Sequence, residues 1–424
     1  MDYREKAREI KADAMKLGAV SGEVRNKALL AIKEALLAQK EEIFAANRED
    51  LLRGEQEELA GPIMGRLTFD EHKLADVTAG IDSLVRIKDP IGNTVFRRML
   101  DDGLILEKVT CPIGVIGVIF ESRPDALVQI AALCIKSGNC SILKGGSEAA
   151  RTNRVLFDIV HRAGCEAGLP EGFANLIEDR AGINALLECD DSVDLIIPRG
   201  SNAFVRYIME HSRIPVMGHA DGVCHIYVDK DADAEKAVRI ILDAKTQYVA
   251  ACNAAETLLV HRDAAETVLP LLAEAAKGKI RLKGFSDVQK IISCDRAEEE
   301  DMRTEYLDYI LTVRIVEDLE EAIRLINRYG SHHTDCIVTE DDEAAERFMT
   351  YVDSAGVYRN CSTRFADGFR YGFGAEVGIS TGKLHARGPV GVDGLVTYKY
   401  RLTGNGQIVG DYAEGRSTFK FRDL

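Results

Sequence analysis

The sequence predicts an α/β fold built on parallel sheets. Short apolar segments alternate with helical ones from residue 140 to residue 228, the pattern of parallel strands covered by helices on both faces. The run IGVIGVIF at residues 113–120 is apolar throughout, as expected of a strand buried on both sides. A second α/β pattern follows Cys252 and continues to about residue 379. The 424 residues are also enough for about two or three domains.

The first 88 residues are predicted to be helical. Apolar residues recur at helical spacing over residues 3–17, 23–39, 41–52 and 70–87, with SGE and GPIMG as breaks. The N-terminal segment has neither the apolar centre nor the cleavage site of a secretory signal. We therefore expect a cytoplasmic protein.

A β-hairpin is predicted for residues 94–109, with Asp102 and Gly103 at its turn. It leads into the apolar strand at residues 113–120 and a helix over residues 125–137. Near the C-terminus, LVTYKYRL and STFKFRDL alternate apolar and polar residues. These segments are typical of edge strands, which would pair either with the hairpin or with another subunit.

Two strand ends in the alternating region favour phosphate binding. The predicted strands and helices in this region are strands 140–144, 175–178, 193–198 and 223–228 and helices 148–167, 182–189 and 201–211. LKGGSEA (143–149) and IPRGSNA (197–203) each place a cation, glycine and a hydroxyl between a strand and a helix. Parallel sheets bind ligands beyond the carboxyl ends of their strands. A nucleotide site is therefore predicted, although the region contains no G-x-G-x-x-G motif.

Cys252 is the candidate nucleophile. It lies in KTQYVAACNAAETLLV (245–260), between a predicted helix at residues 232–245 and a strand at residues 257–261. The alanines around it would let a substrate carbonyl approach the sulfur closely. The alternative is a small buried hydrophobic residue, since most cysteines among alanines have that role.

The rest of the chain continues the α/β pattern and ends in a polar loop. Helices are predicted at residues 264–277, 296–308, 319–328 and 342–353. Residues 357–391 are rich in Gly, Ser, Thr and Arg. A loop of this length inside a compact domain usually carries function.

Composition argues against several classes of protein. A net charge of -15 without a basic run makes nucleic-acid binding unfavourable. No segment approaches the roughly 20 apolar residues needed to cross a bilayer. The ten cysteines include no CxxC pair and no clustered His/Cys spacing, so we expect free thiols and no metal site.

The order of these motifs resembles the aldehyde dehydrogenase superfamily over nearly the whole chain. The resemblance rests on ESRPD (121–125), LKGGSEA, PRGSNAFV (198–205), the cysteine in QYVAACNAAET (247–257), and Glu305 before an apolar strand. INRYGSHHTDCI (326–337), ACNAAETLLVH (251–261) and FGAEVGISTGKLHARGPVG (373–391) resemble the branch that reduces L-glutamyl 5-phosphate.

The resemblance implies an aldehyde dehydrogenase-like α/β architecture in three parts. An atypical Rossmann-type cofactor domain would span residues 1–93 and 110–228, and an α/β catalytic domain with Cys252 would span residues 229–390. A small β oligomerisation element would comprise residues 94–109 and 391–424, so we expect a homo-oligomer.

The implied reaction is NADPH-dependent reduction of L-glutamyl 5-phosphate to glutamate 5-semialdehyde and phosphate through a Cys252 thioester. This is the second step of proline biosynthesis, and glutamate 5-kinase would supply the acyl phosphate. The cofactor-binding residues would be Lys144, Gly145, Ser147, Gly200, Ser201 and Glu305. Ser147 stands where NAD-preferring relatives carry an acid, which favours NADP(H). Met217 stands where oxidising members carry the glutamate that activates water.

The resemblance and the polar loop also give candidate substrate ligands. Asn360, Ser362, Thr363 and Arg364 would hold a carboxylate, Glu376 the ammonium, and His333 the phosphate unless His332 and His333 cap a turn. The family's oxyanion amide is absent, with Ser122 or Arg123 nearest. Two alternatives stay open: a coenzyme A-dependent acylating aldehyde dehydrogenase, and a non-catalytic binding protein with a decayed site.

Overall fold

The computed structural model describes residues 3–178 and 181–424. Residues 1, 2, 179 and 180, which the predicted cofactor domain includes, lie outside the described residues. The chain divides into two units. The first runs up to Met217 and includes Gly374–Val377 and Val390–Leu424, and the second comprises Gly218–Phe373 and Gly378–Pro389.

Helices begin the first unit, as predicted. They are α1 (Tyr3–Ala19), α2 (Gly22–Ala38), α3 (Lys40–Gln56), α4 (Gly61–Leu67) and α5 (Glu71–Arg86). Asp70 caps α5 by accepting a hydrogen bond from the Lys73 N–H. The GPIMG segment was predicted to be a break and instead forms α4, because a proline in the first helical turn loses no hydrogen bond.

The parallel sheet of the first unit follows a hairpin. The elements in chain order are β1 (Thr94–Asp101), β2 (Leu104–Pro112), β3 (Val115–Phe120), α6 (Pro124–Lys136), β4 (Cys140–Gly145), α7 (Ala150–Glu166), β5 (Ala174–Ile177), α8 (Ala181–Leu187), β6 (Leu195–Arg199) and α9 (Asn202–His211). Gly103 has a φ of 72° in the predicted turn. The sheet order is β5-β4-β3-β6, with all neighbours parallel. The predicted α/β alternation is confirmed in this region.

A larger parallel sheet forms the second unit. Its elements are β7 (Cys224–Val228), α10 (Ala234–Thr246), β8 (Ala255–His261), α11 (Arg262–Ala276), β9 (Arg281–Gly284), β10 (Asp295–Arg296), β11 (Ile310–Val316), α12 (Leu319–Tyr329), β12 (Thr334–Val338), α13 (Asp342–Tyr351) and β13 (Gly356–Arg359), followed by the two-stranded ribbon of β14 (Gly378–Ser380) and β15 (Gly388–Val390). The strand order is β10-β9-β11-β8-β7-β12-β13. Leu258 and Val260 pack into one apolar cluster and Leu259 into another. Alternate residues of β8 therefore serve cores on opposite faces.

Two predictions for the second unit differ from the structure. β7 was assigned to the cofactor domain, but it pairs with β8 and β12 and so belongs to the second sheet. The predicted acidic helix over residues 296–308 is wrong, since only a short 3-10 helix forms at Glu299–Arg303. The Asp301 carboxylate accepts hydrogen bonds from the Glu298 N–H, the Tyr306 hydroxyl and Lys283. These bonds hold the segment in a compact turn instead of a continuous helix.

The C-terminal tail completes an antiparallel sheet with the hairpin. The tail contains β16 (Val396–Thr403), α14 (Val409–Ala413) and β17 (Arg422–Asp423). β16 pairs with β2 and β17 pairs with β1, which confirms the predicted pairing with the hairpin. Among the described helices, none combines the length and the apolar character that crossing a membrane requires.

Candidate active site

Cys252 lies in the turn that joins α10 to β8, as the sequence predicts. The Ala254 N–H donates to the Ala251 carbonyl at 2.9 Å, which closes the turn. The Cys252 thiol is half-buried, and its own carbonyl accepts a hydrogen bond from the Cys224 thiol at 3.3 Å. The cysteine is therefore held rigidly at the amino end of β8 while its side chain stays accessible.

A second segment of the chain fixes this turn from the other side. Asn253 donates through Nδ2 to the Ala366 carbonyl at 2.8 Å, and the Thr363 hydroxyl donates to the Asn253 carbonyl at 2.7 Å. Asn253 and Thr363 are both buried. Thr363 was predicted to bind substrate, but its hydroxyl proton is used to position the residue that follows Cys252.

Gly222 packs directly against the backbone of Cys252. A Cβ atom at residue 222 would lie 2.1 Å from the Cys252 carbonyl oxygen and 2.5 Å from its Cα. Backbone atoms cannot rotate away as side chains do, so only glycine allows the present position of Cys252.

Gly222→Ala is expected to lower kcat/KM by on the order of a hundredfold, because it displaces the sulfur of the candidate nucleophile. The matched control is Gly80→Ala in α5, where nothing lies within 4 Å of the added Cβ. Steady-state kinetics of both variants check this. Equal activity in Gly222→Ala and wild type would contradict the assigned position of the nucleophile.

Two histidines from distant parts of the chain lie beside Cys252. One ring nitrogen each of His219 and His333 and the Cys252 Sγ all lie within 4.8 Å of one another. The two rings meet edge to face, with centroids 4.9 Å apart. The sequence singled out His333 but missed His219, because VMGHAD carries no pattern that distinguishes its histidine.

Hydrogen bonds fix the orientation of each imidazole. The His219 Nδ1–H donates to the Ile379 carbonyl at 2.7 Å, so its Nε2 carries the lone pair in the neutral ring. In His333, Nδ1 lies 3.0 Å from the Thr334 hydroxyl. Its Nε2 is buried and has no hydrogen-bond partner among the described residues. His332, by contrast, donates to the Asp353 carbonyl at 2.6 Å and so stabilises a turn.

Arg364 provides a buried cation near the thiol. Its Nε donates to the Gln247 side-chain oxygen at 2.9 Å. Burial lowers the pKa of the Arg364 guanidinium and Arg370 lowers it further, whereas negative charge on Cys252 would raise it. A guanidinium keeps its proton at any physiological pH. Arg364 therefore places positive charge within electrostatic reach of the sulfur.

The remaining predicted substrate ligands of this unit make local contacts. The Asn360 side chain pairs with the backbone of Thr339, accepting from its N–H at 3.0 Å and donating to its carbonyl at 2.9 Å. One amide N–H of Asn360 is left for a ligand. The Ser362 Oγ accepts a hydrogen bond from the Arg364 N–H at 3.3 Å.

A buried ion pair flanks Cys252 in the chain, with Lys245 seven residues before it and Glu256 four residues after it. The Lys245 Nζ donates to the Glu256 carboxylate at 2.6 Å, and both side chains are 0 % exposed. Burial, with a smaller contribution from Glu305, raises the pKa of Glu256 to about 7 against the opposing effect of Lys245. Glu305, predicted to bind the nicotinamide ribose, follows the Glu299–Arg303 helix and is half-buried.

Five of the six predicted cofactor ligands lie at the carboxyl ends of β4 and β6, the two strands that flank β3 in the sheet. Lys144 is buried at the end of β4, where it donates to the Gly145 carbonyl, and Ser147 is exposed just beyond. At the start of α9, Gly200 is exposed and the Ser201 N–H donates to the Glu121 carboxylate at 3.0 Å.

The turn before α9 thus donates a backbone N–H to a carboxylate, and the same N–H could donate to a pyrophosphate. A Cβ at Gly200 would lie 2.4 Å from that carboxylate. The backbone is therefore open to close approach by an anion, and the residues present fit a dinucleotide phosphate.

The predicted oxyanion residues of the first unit are held locally. Ser122 donates to the Glu148 carboxylate through its N–H at 2.6 Å and its hydroxyl at 2.8 Å. Arg123 is half-buried at the start of α6.

Met217 is buried, with its N–H donating to the Ile196 carbonyl at 2.8 Å. Glu376 is half-buried and belongs to the first unit, although it was predicted to lie in the catalytic domain.

Comparison with known proteins agrees with this arrangement. Residues 5–288 match the model of the aldehyde dehydrogenase family. A gamma-glutamyl phosphate reductase from Acetivibrio thermocellus is 58% identical over 425 aligned residues, covering 100% of this chain and 99% of the relative. The chain belongs to the gamma-glutamyl phosphate reductase family.

Solved structures give the same result at the level of the fold. The crystal structure of gamma-glutamyl phosphate reductase from Thermotoga maritima superposes with a TM-score of 0.94 at 36% identity, covering 96% of this chain and 100% of that one. An acetylating aldehyde dehydrogenase from Geobacillus thermoglucosidasius, at 19% identity and a TM-score of 0.64 over 96% of each chain, shares the fold. The chain is thus an oxidoreductase of the aldehyde dehydrogenase superfamily, with the predicted α/β fold.

Proposed function

We propose that this protein reduces L-glutamyl 5-phosphate to L-glutamate 5-semialdehyde and phosphate, the second step of proline biosynthesis. The observation that carries the proposal is full-length similarity to proteins named gamma-glutamyl phosphate reductase. The cysteine, two imidazoles and a guanidinium in one unit support it chemically.

Cys252 would attack the acyl carbon and expel phosphate, leaving a thioester on its sulfur. The nicotinamide cofactor, when bound, supplies the hydride that reduces this thioester. Hydride addition and uptake of a proton from solvent give a thiohemiacetal, which releases the aldehyde and leaves Cys252 as the thiol. His219, His333 and Arg364 would offer N–H groups to the departing phosphate, whose negative charge needs donors in a partly buried site. The substrate carboxylate would remain for polar side chains of the second unit, among them Ser362.

Met217 would correspond to the residue at which oxidising relatives carry a water-activating carboxylate, and its side chain is buried. A thioether cannot remove a proton from water. The acyl intermediate would therefore persist until it is reduced, or until phosphate attacks it in the reverse direction.

The decisive experiment is the reverse reaction with glutamate 5-semialdehyde and NADP, followed by NADPH absorbance. The proposal requires a rate that depends on inorganic phosphate. A rate that depends on coenzyme A instead would favour the acylating aldehyde dehydrogenase alternative. Phosphate-independent turnover would indicate hydrolysis, and the absence of any turnover would favour the decayed binding protein.

The cofactor is proposed to be NADP(H), held by Lys144, Gly145, Ser147, Gly200, Ser201 and Glu305. Ser147 is exposed and neutral beside Lys144, which tolerates a 2′-phosphate that a carboxylate would repel. We expect kcat/KM with NADPH to exceed that with NADH by about tenfold or more. Ser147→Glu should reverse the ratio. Comparable values for the two cofactors in wild type would count against the proposal.

The cellular setting is part of the same proposal. We expect the protein to act in the cytoplasm and to receive its unstable acyl phosphate from glutamate 5-kinase. The hairpin and tail would form the homo-oligomer contact, since Tyr398, Tyr400 and Leu402 of β16 expose apolar surface in this unit.

A further inference from the structure

We propose that Cys252, His219 and His333 form a Zn²⁺-binding site that switches the enzyme off. Their potential ligand atoms lie within 4.8 Å of one another. Thiolate and imidazole are the ligands that Zn²⁺ prefers in proteins. The metal would occupy the place where the acyl phosphate is attacked, so its binding would control the site without taking part in the proposed reaction.

The geometry needs only a small contraction to hold the ion. With Zn–S of about 2.3 Å and Zn–N of about 2.0 Å, tetrahedral ligands lie roughly 3.3 to 3.6 Å apart. The Cys252 side chain is half-buried in a turn. Its rotation can move Sγ much of the way from the present separations, which are within 4.8 Å, to these tetrahedral distances. Zinc would bind the thiolate, with the thiol proton passing to solvent.

The histidines already have the surroundings of metal ligands. Metal-bound imidazoles usually donate their second ring N–H to a backbone carbonyl or a carboxylate, which fixes the ring and its tautomer. His219 makes such a bond to the Ile379 carbonyl at 2.7 Å. His333 is fully buried, and its Nε2 has no hydrogen-bond partner among the described residues. A buried nitrogen left in this state is costly unless a ligand binds it.

Three protein ligands leave the fourth tetrahedral position open, as in catalytic zinc sites. Water or inorganic phosphate could occupy that position. Because the sulfur is bound to the metal, it cannot attack an acyl carbon, and Zn²⁺ should inhibit in competition with the acyl substrate and protect Cys252 from iodoacetamide.

The test uses the full chain, treated with a chelator and kept in a reductant without thiols. Co²⁺ replaces Zn²⁺ as an optical probe. Wild type should show visible bands of tetrahedral Co²⁺ and a near-ultraviolet thiolate-to-cobalt band, and Cys252→Ala should lose the latter. His219→Gln should weaken Co²⁺ binding and Zn²⁺ inhibition by on the order of tenfold or more. Loss of a residue that only hydrogen-bonds to a metal ligand can cost that much, and His219 would be a ligand itself.

The matched control is His161→Gln, at a half-buried Cys–His pair in which Cys165 Sγ lies 3.9 Å from His161 Nε2 and to which the described residues add no third ligand. It should leave both readouts unchanged. Absence of the thiolate-to-cobalt band in wild type would overturn the proposal, as would equal inhibition of wild type and His219→Gln by Zn²⁺. The optical titration needs no turnover, so it stands apart from the test of the proposed reaction.

Discussion

Cys252→Ala is expected to lower the phosphate-dependent oxidation of glutamate 5-semialdehyde by roughly three to six orders of magnitude. The thioester requires a sulfur nucleophile, and the turn between α10 and β8 offers no substitute at the same position. The adjacent side chains are those of Ala251 and Asn253, and Asn253 is buried with its amide bonded to the Ala366 carbonyl. Cys252 is not among the proposed cofactor ligands, most of which belong to the first unit, so NADPH affinity should change little. Stopped-flow kinetics and fluorescence titration with NADPH measure the two properties separately.

Cys294→Ala is the matched control for the nucleophile. Cys294 is a half-buried thiol of the same unit, and burial raises the pKa of its side chain. Its removal should leave kcat within about twofold of wild type, since it touches no proposed ligand. Iodoacetamide followed by mass spectrometry should label Cys252 before Cys294. If the two variants retained similar activity, Cys252 would be a small packing residue, the alternative that its alanine-rich surroundings left open.

The strands of the site could be predicted because local sequence determines them. β3 is apolar throughout and fully buried, and the Asp102-Gly103 pair forms the turn that its residue types favour. The junction that carries Cys252 was also predictable, because a helical pattern ends shortly before it and a β-prone run begins shortly after it. Each of these features depends on residues within a short window.

The residues around Cys252 are brought together by the order of the strands in the sheet. That order is not determined by local sequence, so these neighbours could not be predicted. His219 precedes β7 and His333 precedes β12, and these strands meet because β7 lies between β8 and β12 in the sheet. The second unit therefore builds its site at the amino ends of strands, whereas the first unit gathers its residues at the carboxyl ends. Residue type alone also assigned Asn360 and Thr363 to substrate, although their side chains hydrogen-bond to the protein backbone.

Lys245→Met is expected to reduce the free energy of unfolding by about 3–5 kcal/mol near pH 8, because it leaves the Glu256 carboxylate buried without its cation. Lys245 and Glu256 are both 0 % exposed; Lys245 bonds Glu256 Oε2, and Oε1 has no hydrogen-bond partner among the described residues. Urea denaturation followed by circular dichroism measures the loss. Lys245→Met combined with Glu256→Leu removes both charges, so the double variant should recover much of the lost stability.

The loss of stability in Lys245→Met is expected to depend on pH. Burial already raises the pKa of Glu256 from 4.5 to about 7, and Lys245 opposes that shift, so Lys245→Met should raise the pKa further. An acid whose pKa is higher in the folded state contributes stability below its unfolded pKa, and this contribution is lost as the pH rises through the folded value. The variant should therefore be close to wild type near pH 4.5 and fall behind it towards pH 8. Lys236→Met breaks an exposed pair with Glu340 and should cost no more than about 1 kcal/mol across that range. A loss in Lys245→Met that is independent of pH would mean that missing packing, and not an unpaired buried carboxylate, accounts for it.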